Sequence, residues 1–482
     1  MKKPNILFIS VDQLAAKWLE LLMEADLAPN LKKLKNRGLN FTQAFANNPI
    51  CMPSRSSTIT GKPTVSHEVW NNDSKSLDSS RFKCFPETLK QNGYKTGGFG
   101  KFHFEPFWEG ACKGVSDFGF VESAVSEDMR YGPWLEWVKE KSPEYYEPAL
   151  STVWHWHIPE NDKKNNSKKI KNDVAKATEK YLIPWRDKHG VNPSAYPEIL
   201  PTELSQTSWI CERSCNFIVR HKEESDPLFL YCSFVAPHMP CVPPREYLDR
   251  IPESIIPDPI VEPEIYPEPI ARRKNLKHAL ANYMPEEWRK VRRYYFAYVL
   301  QIDDAVGKIM DLIDEDNTYV LFSSDHGDML GDHGLWDKGA WHYDACVRVP
   351  MFLAGPGINA GIRNDLVNNL DIAPTFLELA GLLKKEEKEN LLRKNLRENI
   401  FIESYGMCVP GFANKNSPDA WSFSLRSKEY RYTWHPYGNA EQFFDLARDP
   451  DETKDLSKDS EYADKIKKLK AALKEKLYWL SI

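Results

Sequence analysis

Residues 5–13 read NILFISVDQ, and within them Ile6–Val11 runs without polar alternation before closing on an acid and an amide, Asp12 and Gln13. A short apolar run of this kind is a strand buried on both faces, the signature of a parallel sheet. Three more runs have the same character: Lys95–Phe99, Leu228–Val235 and Tyr319–Ser323. Helical periodicity separates them over Phe85–Asn92, Glu203–Lys222, Arg293–Glu315 and Ile372–Leu383, with Asp371 as N-cap of the last. Alternating strands and helices predict an α/β fold, a large mostly parallel sheet sandwiched by helices. No internal repeat is present. Past Gly381 the character changes. A charged linker, KKEEKENLLRKNLREN, leads into short alternating segments (AWSFSLRS, YRYTWH, QFFDLARDPDE) and an amphipathic helix from about Ser460 to Leu480. These predict a smaller C-terminal subdomain built on an antiparallel sheet, dividing the chain into residues 1–385 and 386–482.

The bulk composition narrows the function classes. With 482 residues, 41% apolar and 28% charged, the chain can bury a large core. A net charge of −5 with dispersed Lys and Arg gives no basis for nucleic acid binding. The one basic stretch, Lys163–Lys188, reads as a solvated insertion, and the proline-rich acidic stretch from Pro252 to Pro269 as a surface loop. The opening MKKPNILFISVDQL has too short an apolar core for a secretory signal, Asp12 interrupts it, and no small-residue cleavage site follows. No run approaches the ~18 apolar residues that span a membrane. Nine cysteines make an odd count whose spacing suits neither a disulfide framework nor a CxxC metal pair. A reducing, cytoplasmic setting is therefore expected, with most cysteines serving as small buried hydrophobes.

Ligands of open α/β sheets bind beyond the carboxyl ends of the strands. The first strand ends in Asp12-Gln13. The second runs into Lys101, with His103 two residues on. The third is followed by Pro237-His238 and the fourth by Asp325-His326. Each residue alone has an ordinary structural reading, such as a helix cap for Asp12. Together they place two carboxylates, an amide, a lysine and three imidazoles on one sheet edge. Burying such charges is costly without a metal or an anion to pair them. The carboxylates and amide suit a hard divalent cation, and His326 adds a nitrogen that Mn2+ or Zn2+ also tolerates. The glycine-rich loop DHGDMLGDHGLWDKG (325–339) carries Asp332, His333 and Lys338, and Lys338 offers a point charge to an oxyanion.

Cys51-Met-Pro-Ser-Arg55 resembles the C-x-P-S-R signature of the formylglycine-dependent sulfatases of the alkaline phosphatase superfamily. NILFISVDQ, GKFH (100–103), APHMP (236–240), SSDHGDMLGDHGLWDKG, RVPMFLAGPG, DIAPT and QFFDLARDPDETKDL resemble further family elements in the same order, so the resemblance covers nearly the whole chain. It implies that Cys51 is converted to formylglycine by a sulfatase-maturing enzyme. It implies one divalent metal, Ca2+ first and Mn2+ or Mg2+ next, held by Asp12, Gln13, Asp325, His326 and the modified Cys51. Arg55 and Lys101 would stabilise the ionised formylglycine hydrate, His103 would act as base, and His238 and Lys338 would bind the sulfate and assist the leaving group. The implied activity is hydrolysis of a small aryl, alkyl or carbohydrate sulfate ester.

Gln13 and His326 depart from the commoner family pattern of a second Asp and an Asn. They resemble choline-sulfatase-like enzymes and phosphonate monoester hydrolases of the superfamily, so phosphonate monoester or phosphodiester hydrolysis is the alternative reaction. A non-catalytic anion- or sulfated-glycan-binding protein is the alternative outside catalysis. Trp154–His157 (WHWH) is a candidate platform for a sugar or a quaternary ammonium, and His67, Trp70 and Asn71 are further candidates to face the pocket.

Overall fold

The structure is a computed structural model describing residues 3–106, 115–154, 158, 167–261, 263, 266–271, 274, 283–339, 341–383, 389–406 and 421–477. Its core is an eight-stranded sheet built from β1 (Asn5–Val11), β2 (Leu39–Phe41), β4 (Lys95–Gly100), β5 (Glu122–Val125), β6 (Leu228–Phe234), β7 (Thr318–Ser324), β8 (Met351–Ala354) and β9 (Gly361–Arg363), in the spatial order β5-β4-β6-β1-β7-β8-β2-β9. The five strands from β5 to β7 are mutually parallel, whereas β8 runs antiparallel to both neighbours. The sequence-predicted strands are thus the contiguous parallel block β4-β6-β1-β7. Their carboxyl ends share one edge, as the doubly covered arrangement requires.

Both faces of this block are apolar because both are covered. Leu7, Ile9 and Val11 pack with Leu230, Phe234, Val320 and Phe322 toward the helices Ala16–Glu24, Gln206–His221 and Pro285–Met310. Ile6 and Phe8 pack with Phe229, Tyr231 and Leu321 toward Phe85–Gln91 and Ile372–Leu379. Each such side chain contributes on the order of 2 kcal/mol on burial, so the middle of the sheet tolerates little polarity. The exception is a row of small residues near the carboxyl edge, where Ser10 lies opposite Ser233 on one side and Ser323 on the other. That row makes room for the helix Cys51–Thr60.

A two-stranded ladder pairs β3 (Ala44–Phe45) with β10 (Val367–Asn368). The C-terminal region forms the expected antiparallel sheet, β11 (Ile400–Tyr405), β12 (Trp421–Arg426), β13 (Tyr430–His435) and β14 (Ala440–Asp445), backed by the helix Ala463–Lys476. Residues 384–388 of the predicted linker and 478–480 of the predicted last helix lie outside the described residues.

Three boundaries differ from expectation. The helix predicted from Arg293 begins at Pro285 and ends at Met310; its polar first turns, PEEWRKVRR, hid its start. The helix expected to end at Leu383 stops at Leu379. Asp371 holds its N-cap position, but the side chain makes no capping bond there. Asn368 caps the preceding 3-10 turn Asn369–Asp371, while the Asp371 carboxylate accepts from Arg397 and from the Asn368 amide. Among the described residues no helix is long and apolar enough to cross a membrane.

Candidate active site

Cys51 is the first residue of a ten-residue helix, Cys51–Thr60, entered from extended Ile50 (φ −126°, ψ 137°). Pro53 falls in the first turn, where a missing N–H costs nothing, and Gly61 closes the last turn in the left-handed region (φ 62°). The helix is polar yet buried through Ile59, so its side chains must find partners. Ser54 donates to the Asp325 carbonyl at 2.7 Å, and Asn369 donates to both Ser54 and that carbonyl. Ser57 accepts from Asn47 at 2.8 Å. Arg55 crosses the serine row, donating to Ser233 Oγ at 2.9 Å, to Tyr231 and to the Lys101 carbonyl. These bonds place Cys51 over the carboxyl edge of the sheet.

Around Cys51 the structure gathers Asp12, Asp325, His326 and Lys101. Asp12, Cys51, Asp325 and His326 each present a ligating atom, all within 4.8 Å of one another and all buried. Cys51 Sγ lies 3.1 Å from His326 Nε2, 3.7 Å from Asp12 Oδ1 and 3.8 Å from Lys101 Nζ. His326 Nδ1 is 2.9 Å from the Gly327 carbonyl, which can only accept, so Nδ1 carries the proton and Nε2 keeps its lone pair toward Cys51 and Asp12. Two carboxylates and an outward imidazole nitrogen anchored by its other nitrogen are the donor set of a divalent cation site. The residues therefore fit the expected metal. Gln13, left-handed at φ 67°, stands beside them. Its amide nitrogen donates to Asp328 at 2.5 Å and Asp337 at 2.9 Å, and its amide oxygen accepts from Lys338 Nζ at 2.6 Å.

The charges are strongly coupled. Burial alone would raise the Asp12 carboxyl, but Lys101, His238 and Arg55 override it and hold it well below its ordinary range. Burial would lower Lys101, yet Asp12 and Asp128 keep its ammonium above its usual value. Burial brings His326 down to about 4. His103, in the left-handed region at φ 49°, is pushed well down by burial and by Lys101. His238 is lowered by burial; its Nδ1 donates to the Met239 carbonyl at 2.6 Å, turning Nε2 away from that bond. The Cys51 thiol is pushed far up by burial and by Asp12, so as a plain cysteine it is held protonated.

Several candidates fall elsewhere. Asp332 pairs with Lys17 and Arg292, and His333 stacks on Tyr343 with ring centroids 4.2 Å apart, so of Asp332, His333 and Lys338 only Lys338 bonds to a site residue, Gln13. His67 is bound to Ser57 and to the Val69 amide, Asn71 to its own turn, and Trp70 packs edge-on against Tyr405. Trp154 packs near Met129, and residues 155–157 lie outside the described residues. The basic stretch is described from 167 onward, where Lys168 and Lys169 are exposed on the helix Ser167–Ala177.

Other residues enter the site unannounced. Asp128 accepts from Lys101 Nζ with both oxygens, at 2.7 and 2.6 Å. Glu127 accepts the amides of Phe102 and His103 at 3.0 and 2.9 Å. Both follow β5, whose sequence, ESAV, is too short and polar to read as a buried strand. Being parallel to β4, it delivers its next residues to the same edge.

The mostly parallel sheet, with a buried charged cluster at its carboxyl edge, is an alkaline phosphatase-like fold. The phosphonate monoester hydrolase of Agrobacterium radiobacter superposes with a TM-score of 0.75, covering 99% of this chain and 95% of that one at 22% identity. A 2-O GAG sulfatase superposes with a TM-score of 0.68 at 19% identity, covering 99% of this chain and 92% of that one. The chain belongs to the sulfatase family, whose sequence profile matches residues 4–382, and is thereby a sulfuric ester hydrolase. A profile for the C-terminal region of N-sulphoglucosamine sulphohydrolase matches residues 331–478. Similar proteins include the arylsulfatase of Clostridium perfringens, 26% identical over 98% of this chain and 94% of its own length, and the choline-sulfatase of Rhizobium meliloti, 29% identical over 94% and 82%.

Proposed function

We propose that this protein hydrolyses a sulfate ester, aryl, alkyl or carbohydrate, to the alcohol and inorganic sulfate, using Cys51 converted to formylglycine and one divalent metal. The observation that carries this reading is the position of Cys51. It opens a polar helix and touches a carboxylate, an imidazole and an ammonium at the edge where ligands of such sheets bind. A buried thiol held protonated is a poor nucleophile. Formylglycine would supply a geminal diol there, one hydroxyl to attack sulfur and a second whose deprotonation releases sulfate.

Asp12, Gln13, Asp325 and His326 are the residues to hold the metal, which supplies Lewis acidity to oxygens near it. Ca2+ suits the oxygen-rich set, Mn2+ also accepts the His326 nitrogen, and Mg2+ would rely on the oxygen donors alone. Arg55 fixes the two carboxylates, bonding Asp325 at 2.7 Å and facing Asp12 at 3.5 Å, and with Lys101 balances negative charge at position 51. His103 is the base for the second hydroxyl. His238 and Lys338 bind the sulfuryl oxygens and neutralise the departing alkoxide, where preorganised donors contribute most. A sulfatase-maturing enzyme is the implied partner.

The second reading, phosphonate monoester or phosphodiester hydrolysis, rests on Gln13 and His326. One experiment separates the readings. Protein co-expressed with a maturing enzyme is digested to weigh the Cys51 peptide, then assayed on an aryl sulfate and an aryl phosphonate. An aldehyde at position 51 with preferred sulfate turnover supports the proposal. A thiol after either type of maturation system overturns it, and preferred phosphonate turnover moves the assignment to the second reading.

A further inference from the structure

Two cation pockets meet at Asp12. One is the group Asp12, Cys51, Asp325 and His326; the other is Asp12, Asp128 and His238, whose ligating atoms also lie within 4.8 Å of one another. The second is filled by the protein itself. Lys101 Nζ sits against Asp12 and is 2.6 and 2.7 Å from the two Asp128 oxygens, and Lys101 is fully buried. His238 Nδ1 stands 3.7 Å from Asp128 Oδ1, beyond hydrogen-bond reach, its proton already given to Met239.

Resting on the sulfatase reading and deepening it, we infer that Asp128 is the positioning residue that fixes Lys101 against the nucleophile. Asp12 belongs to both pockets, so a divalent metal drawing on its charge weakens its hold on Lys101. Both Asp128 oxygens remain committed to the lysine. Asp128 is itself held by a built support. Gln206 donates to Ser126 Oγ at 2.7 Å and to the Glu127 carbonyl at 2.9 Å, tying the segment to the long helix Gln206–His221. Glu127 ties the same segment to the backbone of Phe102 and His103. Gly100 completes the approach: a Cβ there would lie 1.9 Å from the Ser233 carbonyl, the group that accepts the Lys101 amide at 2.9 Å. Lysine backbone and lysine head are therefore fixed separately, and Asp128 fixes the head.

A double-mutant cycle with Asp128→Asn and Lys101→Met tests this, on protein whose Cys51 peptide carries the aldehyde. Asp128→Asn is expected to lower kcat on an aryl sulfate about tenfold or more with little change in KM, and to cost less than about twofold once Lys101 is Met. Equal losses in both backgrounds, or no loss in the first, would overturn the assignment. Melting temperatures of the unconverted thiol form give a readout independent of turnover. The stability losses from Asp128→Asn and Lys101→Met taken singly should sum to more than the loss in the double variant, because each change breaks the same buried pair. Losses that simply add in the double variant also overturn it. If converted wild-type protein turns over no sulfate ester, the sulfatase reading fails, and the melting cycle still decides the pairing.

Discussion

Arg55 donates its Nε to Asp325 across 2.7 Å with both side chains buried, and so joins the helix that presents Cys51 to β7, the strand that runs into the candidate metal site. The same guanidinium spans the Lys101 carbonyl and Ser233. One side chain thus touches the ends of β4, β6 and β7, and position 51 and the acidic cluster form one mechanical unit.

Replacement of Asp325 by Ala should therefore damage two things at once. The pocket loses an oxygen donor, and Arg55 is left buried without its main partner. Breaking a buried pair in this way costs about 3–5 kcal/mol. Metal content by mass spectrometry should fall together with thermal stability measured in chelator. Full metal occupancy with unchanged melting would contradict the arrangement.

Cys51→Ala should remove turnover by about 1,000-fold or more, on the scale of losing a nucleophile. The side chain is small and fully buried, so circular dichroism and melting should stay close to wild type. Retained activity would end the case for position 51.

Lys338→Ala should reduce kcat roughly 100-fold, comparable with losing an oxyanion donor. Gln13 then loses the ammonium that its amide oxygen accepts from, while its amide nitrogen keeps Asp328 and Asp337. Metal content should therefore hold while the rate drops. An unchanged rate would remove Lys338 from the chemistry.

His67 offers a test by pH. The Val69 amide donates to its Nδ1 at 3.1 Å, so its proton is on Nε2, donated to Ser57 at 2.9 Å. Burial brings its pKa down to about 3, below the ordinary value near 6.5. Its contribution is complete above pH about 6.5, where both folded and unfolded forms are neutral, and is lost as pH falls toward 3 because only the unfolded chain protonates, at about 1.4 kcal/mol per pH unit. Urea unfolding at pH 6.5 and 5.0 should show wild type losing roughly 2 kcal/mol more than His67→Gln over that interval. Parallel losses would show that His67 titrates normally in the folded protein.

Much of the centre was legible in the sequence because β1, β4, β6 and β7 are adjacent, parallel and covered on both faces. Apolar runs in such strands are unmistakable, and the polar residue that ends each run marks the working edge. Asp128 escaped because β5 lies at the sheet margin and contains Glu122 and Ser123, with no apolar run to flag it. Asp332 and His333 share a glycine-rich loop with Lys338, yet the loop turns at Gly331 (φ 92°) and sends them toward Lys17 and Tyr343. Spacing along a loop does not encode that reversal. Tertiary partners decide it, Lys17 and Arg292 on distant helices for Asp332 and the Tyr343 ring for His333.

The complete burial of Cys51 bears on the order of events in the cell. If this residue is the one oxidised, no enzyme can reach it once Cys51–Thr60 has docked over the serine row. Conversion must then finish on an extended chain, and the yield of working protein becomes a race between the modifying enzyme and collapse of the sheet. Overexpression that outruns modification would leave stably folded molecules that can no longer be rescued, except by unfolding them.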